Sequence, residues 1–482
     1  MAFRVWAPAR EPTLVLQGAT HELTEVADGV WEAEVRARPG DDYRYRLAGL
    51  EWPDPCSRFQ PDGIRGPSRV VDTSAFSLAP RPRLEVEDLV VYELHVGTFS
   101  PEGTFAGVAQ RLRELRELGV TAIELMPVAT VPGRRGWGYD GVYAYAPHAA
   151  YGGPAGLAAL VDAAHREGLA VLLDVVYNHL GPGAEAIAAF GPYFTDRHVT
   201  FWGDALDYSQ QGVREWALGN AELWIREYGI DGLRLDAVHS VYDDSPTHVL
   251  KELRDRVKAL SPDAFVISEM GPDDFRPLAE WDHDAMWLDN LHHELHVLLT
   301  GEREGYYADF GTMDGVVREL TRERPERLVV CAQNHDQVGN RALGDRLPPD
   351  AHRVALAIVL FSTATPLLFM GEEYDETRPF RFFTDHIDPA IAEATREGRK
   401  REFAKFTAFS GTDVPDPQDP ATFERSRLEP REPVPLYREL LRLRRELPRD
   451  LHVEAADRRL TLRRGRATLV ADLERKTVEL RT

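Results

Sequence analysis

Two rhythms of apolar and polar positions run along the chain, and one gives way to the other near residue 85. Before that point Trp31, Ala33, Val35 and Ala37 alternate with Glu32, Glu34, Arg36 and Arg38, and Tyr43, Tyr45 and Leu47 alternate with Arg44 and Arg46. A period of two places the apolar side chains on one face of an extended strand. With Asp28-Gly29 and Pro39-Gly40 as turn signals, the pattern predicts short antiparallel strands with one wet face, hence an N-terminal β-sandwich over residues 1–84. Ala79-Pro80-Arg81-Pro82-Arg83 reads as the linker that leaves it.

From Leu89 onward, short apolar runs alternate with amphipathic stretches. LVVYELHV and TAIELMPV flank a predicted helix carrying Phe105, Val108, Leu112, Leu115 and Leu118 at helical spacing. AVLLDVVYNH, GLRLDAVH, FVISEM, AMWLDN, LVVCAQNHD and PLLFMGEE supply six more strands. The helices between them lie around Leu157 to Glu167, Val213 to Tyr228, Val249 to Leu260, from Gly315, and in the long apolar run from Val354. Near-continuous apolar strands separated by helices specify a parallel sheet covered on both faces, and eight such units favour a closed (β/α)8 TIM barrel over an open sheet. The α/β barrel is expected over residues 85–448, with a loop at Asp413 to Pro420 and a closing helix at Val434 to Leu447. Residues 449–482 alternate weakly and predict a small C-terminal β appendage.

A chain of 482 residues, 43% hydrophobic and 28% charged, can bury a large core. Its net charge of −22 disfavours nucleic acid and anionic membranes as partners and suits a neutral substrate. MAFRVWAPAR lacks the features of a secretory signal, and the apolar run Val354 to Met370 is too short and too interrupted to span a bilayer. Cytoplasm is therefore the expected compartment. Cys56 and Cys331 stand far apart without metal-ligand spacing, which fits a reducing environment and buried thiols.

In a parallel barrel, chemistry gathers at the rim where the strands end. Here the third strand ends in Asp174, Asn178 and His179, the fourth in Arg234, Asp236 and His239, the fifth in Glu269, and the seventh in Asn334, His335 and Asp336. Arg234 and Asp236 share a face of their strand, Leu233 and Leu235 take the other, and Asp231 stands at its mouth. Such a pair is either a structural salt bridge or a catalytic carboxylate held by a guanidinium. Three carboxylates on one rim repel one another and need a use. One use is a divalent metal, with His179 and His335 as further ligands. The other is glycoside cleavage, with one carboxylate as nucleophile and a second as acid. Arg234 beside Asp236 argues against the metal, since it supplies the positive charge already. Glu269, between Ser268 and Met270, has dry neighbours that would favour its protonated form.

DVVYNH, GLRLDAVH, ISEM and QNHDQVGN, in this order and each at the end of a predicted strand, resemble the four motifs of the α-amylase family of retaining glycosidases and transglycosylases. The resemblance implies Asp236 as nucleophile, Glu269 as general acid/base and Asp336 as the third carboxylate, gripping sugar hydroxyls. It also implies that Arg234, His179 and His335 line the cleaved glucose, with Asp174 steadying the arginine, and that His239, Gln337 and Asn340 are substrate-binding. Tyr139, in GWGYDGVYAYAP, is similar to the family's aromatic platform beneath that sugar. The N-terminal sandwich is similar to a carbohydrate-binding module.

Narrower stretches, PLLFMGEEY with RFFTDH, LHHELHVLLTGEREGYYADFG, WGYDGVYAYAPHAAYGGP and GRKREFAKF, resemble the malto-oligosyltrehalose trehalohydrolases within that family. That resemblance implies hydrolysis of the α-1,4 bond beside a terminal trehalose unit of malto-oligosyltrehalose or a related α-glucan. The pathway neighbour would be a malto-oligosyltrehalose synthase, without physical contact. It makes Asp289, His292 and His293 substrate-facing, although their spacing also suits a solvated helix face. Neither a metal nor a cofactor is expected; Asn178 is a calcium-ligand position in some relatives, but its companions are not identifiable. Two alternatives remain open on the residues: a glycogen branching enzyme using the same intermediate, and an inactive barrel kept as a binding subunit.

Overall fold

A computed structural model describes residues 1–403 and 414–482; the end of the GRKREFAKF stretch and Asp413 lie outside the described residues. Eight parallel strands form a closed barrel: β1 (Val91–Leu94), β2 (Ala122–Leu125), β3 (Ala170–Val175), β4 (Gly232–Leu235), β5 (Phe265–Glu269), β6 (Ala285–Trp287), β7 (Leu328–Cys331) and β8 (Thr365–Phe369). Pairing of Leu367 with Val91 closes β8 onto β1. These are the eight strands that the apolar runs predict.

Each barrel strand is buried on both faces, which is why the alternation expected of a half-exposed strand is missing. Val91, Ala122, Leu172, Ile267, Trp287, Cys331 and Leu367 fill the interior. Leu173, Leu233, Leu235 and Val266 belong to the outer core beneath the helices. The covering helices include Gly153–Glu167, Gln211–Glu227, Val249–Leu260, Asn290–Thr300, Pro349–Phe361 and Pro435–Glu446.

The stretch expected as one helix from Phe105 to Leu118 is instead two, Phe105–Ala109 and Leu112–Leu118. The break turns Arg111 inward, where its guanidinium lies 4.3 Å from the Phe99 ring centroid and 3.5 Å from Glu373. A continuous helix reads its apolar spacing correctly but ignores this buried ion pair.

Ahead of the barrel, a sheet of Ala2–Trp6, Val30–Glu34 and Thr24–Ala27 faces a second one built on Thr13–Leu16, Ala19–Glu22, Asp42–Leu47 and Leu50–Trp52. Phe3, Val5, Leu14, Leu16, Tyr43 and Tyr45 are buried among these strands. The segment that follows is pinned to the barrel, because Ala79 donates to Asp162 (2.9 Å) and Arg81 donates to Ser261 (2.7 Å). Asp231 belongs to the same anchorage. It accepts from the Val171 amide (2.8 Å) and pairs with His165 (2.8 Å), so it braces the start of β4 rather than the reactive end. After the barrel, His452–Ala456, Arg459–Arg464, Ala467–Asp472 and Thr477–Arg481 form an antiparallel sheet. Buried Arg464 ties it back by donating to the carbonyls of Phe361 (3.1 Å) and Pro448 (3.0 Å). Among the described residues, no helix is long and apolar enough to cross a membrane.

Trp6 seats the sandwich on the barrel by lying against Gly212 in the first turn of helix Gln211–Glu227. A Cβ at that glycine would sit 2.0 Å from the indole. Gly212→Ala is therefore expected to expel Trp6 and lower stability by about 1–3 kcal/mol, as overpacking does. Calorimetric Tm and tryptophan emission should both move; a variant unchanged in both would show that Trp6 does not depend on this seat.

Candidate active site

One guanidinium organises the rim. The β3–β4 register sets Asp174 beside Arg234, and Arg234 Nη1 donates to Asp174 Oδ2 (2.7 Å) and to Asp236 Oδ1 (3.0 Å). Its Nη2 donates to Glu269 Oε2 at the end of β5 (2.9 Å). The flat face of the same group lies 4.2 Å from the Trp287 ring centroid, on β6. Burial opposes its charge, but Asp174, Tyr139, Glu269 and Asp236 more than offset that and drive its pKa up. Asp174 runs the other way: burial pushes its carboxyl up to about 7 against the pull of Arg234.

Asp236 is aimed from two sides. Asn178 Nδ2 donates to its Oδ2 (2.8 Å) and to its carbonyl (2.9 Å), while Arg234 holds Oδ1. The next residue, Ala237, sits in the left-handed region at φ 40°, ψ 51°, which is costly for a residue with a Cβ. That turn points the Ala237 amide at Glu269 Oε2 (2.8 Å). Glu269 thus meets a guanidinium and a backbone amide. The expectation that Ser268 and Met270 dry its surroundings is not met by Ser268. As its strand neighbour, Ser268 faces the opposite side and bonds His283 (2.7 Å).

The third carboxylate rides on the short helix His335–Gly339 after β7. Asp336 accepts from Asn340 Nδ2 (2.8 Å) and lies 3.4 Å from His335 Nε2. His335 is clamped from behind by Glu93 on β1, which takes the His335 backbone amide (2.9 Å) and pairs with its Nδ1. Burial disfavours a charged ring there, yet Asp336 and Glu93 override it and push His335 up to about 10. The Tyr139 ring stacks on His335 (centroids 5.1 Å apart), with its hydroxyl donating to Asp174 (2.5 Å) and meeting His335 Nε2 (2.8 Å).

Exposure rises outward across this set. The Arg234 and Asp174 side chains are 0% and 1% exposed, whereas Asp236, Glu269 and Asp336 reach 10%, 21% and 29%. A ligand arriving at the rim therefore meets three acids and not the cation beneath them.

The remaining predicted residues divide. Asp289 joins the group: it accepts from Gln337 Nε2 (3.0 Å) and Asn334 Nδ2 (3.3 Å), and burial together with Glu269 and Asp336 pushes it up to about 7. His292 commits its ring nitrogens to the Ala332 carbonyl (2.6 Å) and Tyr307 (3.3 Å) instead of the acids, and His293 packs on Phe310. The solvated helix face considered for this stretch is excluded, because Asn290 through Leu299 are all buried. His179 pairs with Asn178 and the Tyr139 carbonyl (2.9 Å), and the Trp202 indole stacks on it at 4.4 Å. Burial drives His179 down to about 4, so its ring is neutral at ordinary pH. His239 stands exposed on the turn after Asp236.

Sequence reasoning missed Glu93, Trp287 and Trp202. Glu93 left a trace, as an acid in the middle of the apolar run LVVYELHV; its partner 242 residues away left none. Asn178, weighed as a calcium position, spends its amide nitrogen on Asp236 and its oxygen on His179. Among the described residues, no group of three or more His, Cys, Asp or Glu is disposed to hold a metal ion.

The family profile for the alpha amylase catalytic domain matches residues 60–191. A malto-oligosyltrehalose trehalohydrolase from Deinococcus radiodurans is 44% identical, over 92% of this chain and 81% of that protein. One of the same description from Saccharolobus solfataricus is 38% identical, over 100% of this chain and 92% of its own length. The crystal structure of a provisionally assigned alpha amylase from Salmonella typhimurium superposes with a TM-score of 0.88 at 38% identity, covering 97% of this chain and 90% of that one.

The Glu93–His335 clamp has a pH signature. Against an ordinary value of 6.5, a folded-state pKa of about 10 means that the stabilisation is fully present below about 6.5 and is lost as pH rises through about 10. Glu93→Gln should cost about 3 kcal/mol in acid and neutral solution, as breaking a buried pair does. The gap between the Tm of variant and parent should then close in alkali. A gap independent of pH would mean that His335 is not held charged.

Proposed function

Because this chain belongs to the malto-oligosyltrehalose trehalohydrolases of the α-amylase family, we propose that it hydrolyses the α-1,4-glucosidic bond beside the terminal trehalose unit of malto-oligosyltrehalose and releases trehalose, with retention of configuration. Asp236 attacks the anomeric carbon, and the bond to the trehalose oxygen breaks as Glu269 gives that oxygen a proton. Glu269, now a carboxylate, takes a proton from water; the resulting hydroxide displaces Asp236 from the glucosyl ester. Asp336 grips the ring hydroxyls throughout.

The observation that carries this reading is that Asp236 and Glu269 occupy the two Nη atoms of Arg234. Retaining enzymes need their carboxyl groups about 5–5.5 Å apart, and inverting ones about 6.5–9.5 Å. Two acids sharing one planar guanidinium favour the shorter spacing. Glu269 accepts both of its hydrogen bonds at Oε2, which leaves Oε1 as the atom to carry the transferred proton. His335 and Arg234 provide fixed positive charge under the acids, and Arg234 holds Asp236 by its Oδ1. Tyr139, His179 and Asp289 complete the surroundings of the sugar.

The three-part division at residues 1–84, 85–448 and 449–482, cytoplasmic location, and a malto-oligosyltrehalose synthase as pathway neighbour complete the proposal.

Asp236→Asn and Glu269→Gln should each cut trehalose release by on the order of a thousandfold or more with the fold retained. Near-parental rates in either variant would refute its role. Products decide the reaction: free trehalose, released preferentially from malto-oligosyltrehalose over plain malto-oligosaccharides, is expected. New α-1,6 linkages from amylose would make the protein a transferase. The rate should rise and fall with pH, the alkaline limb reporting loss of the acid proton, and a flat profile would count against Glu269.

A further inference from the structure

Three carboxyl groups lie side by side inside the barrel, and they are held very differently. Ala122 on β2 and Leu172 on β3 point inward, so Glu124 and Asp174, two residues beyond each, point inward as well. Glu124 pairs in register with Glu93 on β1. Its partner on β3 is Leu172, which places Asp174 one inward step nearer the rim, about 8 Å away between Cα atoms by strand spacing and rise. Glu93 spends both oxygens on His335, and Asp174 Oδ2 takes Arg234 Nη1 (2.7 Å) and the Tyr139 hydroxyl (2.5 Å). Glu124 has no such support. It is 1% exposed, and among the described residues neither of its oxygens has a hydrogen-bond partner. The other carboxyl oxygen of this trio left without one is Asp174 Oδ1.

An anion cannot rest at Glu124. Burying a carboxylate with no donor costs far more than burying the neutral acid, and here a second carboxylate stands beside it in register. Burial, Glu93 and Asp174 together push its carboxyl well above the ordinary range, against the pull of Arg234 and His335. Cys331 on β7 also faces this interior, but burial keeps its thiol neutral. Arg234 Nε and Trp287 Nε1, buried donors that themselves lack partners, do not reach Glu124. Glu124 therefore carries a proton, and a protonated carboxyl has one O–H to give. Glu93 already has both oxygens engaged, which leaves Asp174 Oδ1 as the acceptor. An apolar side chain would fill the place at no such cost, as Ala122, Leu172 and Ile267 do nearby, so the acid is there for its proton.

We propose that Glu124 is a positioning acid beneath the rim: it stays protonated and donates to Asp174 Oδ1, so that Asp174 remains the anion that anchors Arg234 and, through it, Asp236 and Glu269. This rests on the reading of those two groups as nucleophile and acid, and deepens it. Burial pushes Asp174 up to about 7, and a hydrogen bond to its charged form pulls it back down. Loss of that bond raises the Asp174 pKa. Asp174 then takes up a proton earlier as pH falls, its hold on Arg234 weakens, and the acid limb of the rate moves to higher pH.

The test compares the full chain with Glu124→Leu and Glu124→Gln. The two substitutes are similar in size, but only the glutamine amide can donate to Asp174 Oδ1. Trehalose release from malto-oligosyltrehalose is followed as kcat and KM against pH. Glu124→Leu should lower kcat tenfold or more on the acid side with KM within threefold of the parent, and should move the acid limb up by about one pH unit. Glu124→Gln should rescue both. A leucine variant with the parental limb would make Glu124 merely structural and overturn the proposal. A glutamine variant that behaves like leucine would overturn it too, because the donor would then not be what matters. A second measurement needs neither turnover nor a folded leucine variant: the infrared difference between parent and Glu124→Gln at neutral pH should contain the band of a protonated carboxyl, and a carboxylate band in its place refutes the assignment. A parent that shows this band but releases no trehalose would overturn the hydrolase reading and leave the proton on Glu124 standing.

Discussion

Everything at the rim depends on one buried guanidinium. Arg234 is sealed from solvent and would be prohibitively expensive alone in an apolar barrel. It is tolerated because Asp174, Asp236 and Glu269 come from three neighbouring strands to meet it, and because Trp287 supplies an aromatic face. Those acids need the arginine equally, since unneutralised carboxylates at such range repel one another. Neither party could be buried first and the other added later. This mutual requirement explains why polar residues occupy the inner face at the top of the barrel, where Leu172, Ile267 and Leu367 show that apolar packing is otherwise the rule.

A second cation extends the pattern. His335, held by Glu93 from the next strand but one, faces Asp336 on its own helix and stacks against Tyr139, which in turn touches Asp174. The two cations are therefore linked through one phenol and one carboxylate rather than standing as separate pairs. Asn340, which caps the same short helix, and Gln337 within it carry the network outward to Asp336 and Asp289. Movement of this helix would disturb Asp336, His335 and Tyr139 together, so the third carboxylate is positioned by the same framework as the other two.

What the sequence disclosed, it disclosed through periodicity and spacing. Apolar runs of strand length marked all eight barrel strands, and the two-residue interval from Arg234 to Asp236 placed both on one face. Contacts between distant segments carried no such signal. Glu93 reads as an isolated acid until β1 and β7 are brought to the same rim, and Trp202 reads as one more loop residue until the hairpin of Phe194–Thr200 and Gly203–Leu206 brings it over His179. Local spacing also misled where a buried polar partner intervened. Arg111 breaks a helix whose apolar pattern is continuous, and the histidines of Asn290–Thr300 look like a wet face but are wrapped by Ala332, Tyr307 and Phe310. The choice between hydrolase and branching transferase lay beyond periodicity altogether; it turned on relatives that match nearly the whole chain.

The identity of the cation is as informative as its position. A lysine offers one point charge on a mobile stem and could neutralise the same acids without fixing the spacing between them. A guanidinium offers two outward nitrogens in one rigid plane, and here they are divided, one serving Asp236 and Asp174, the other serving Glu269. The interval between the proposed nucleophile and the proposed acid is thereby set by covalent geometry. The strained turn at Ala237 serves the same end, since its left-handed conformation directs an amide onto the oxygen of Glu269 that Arg234 already holds. With Oε2 pinned twice, the carboxyl cannot rotate freely, and its other oxygen keeps a constant direction. A glycosidic bond set between these groups would meet the proposed nucleophile and the proposed acid at an interval fixed before it arrives.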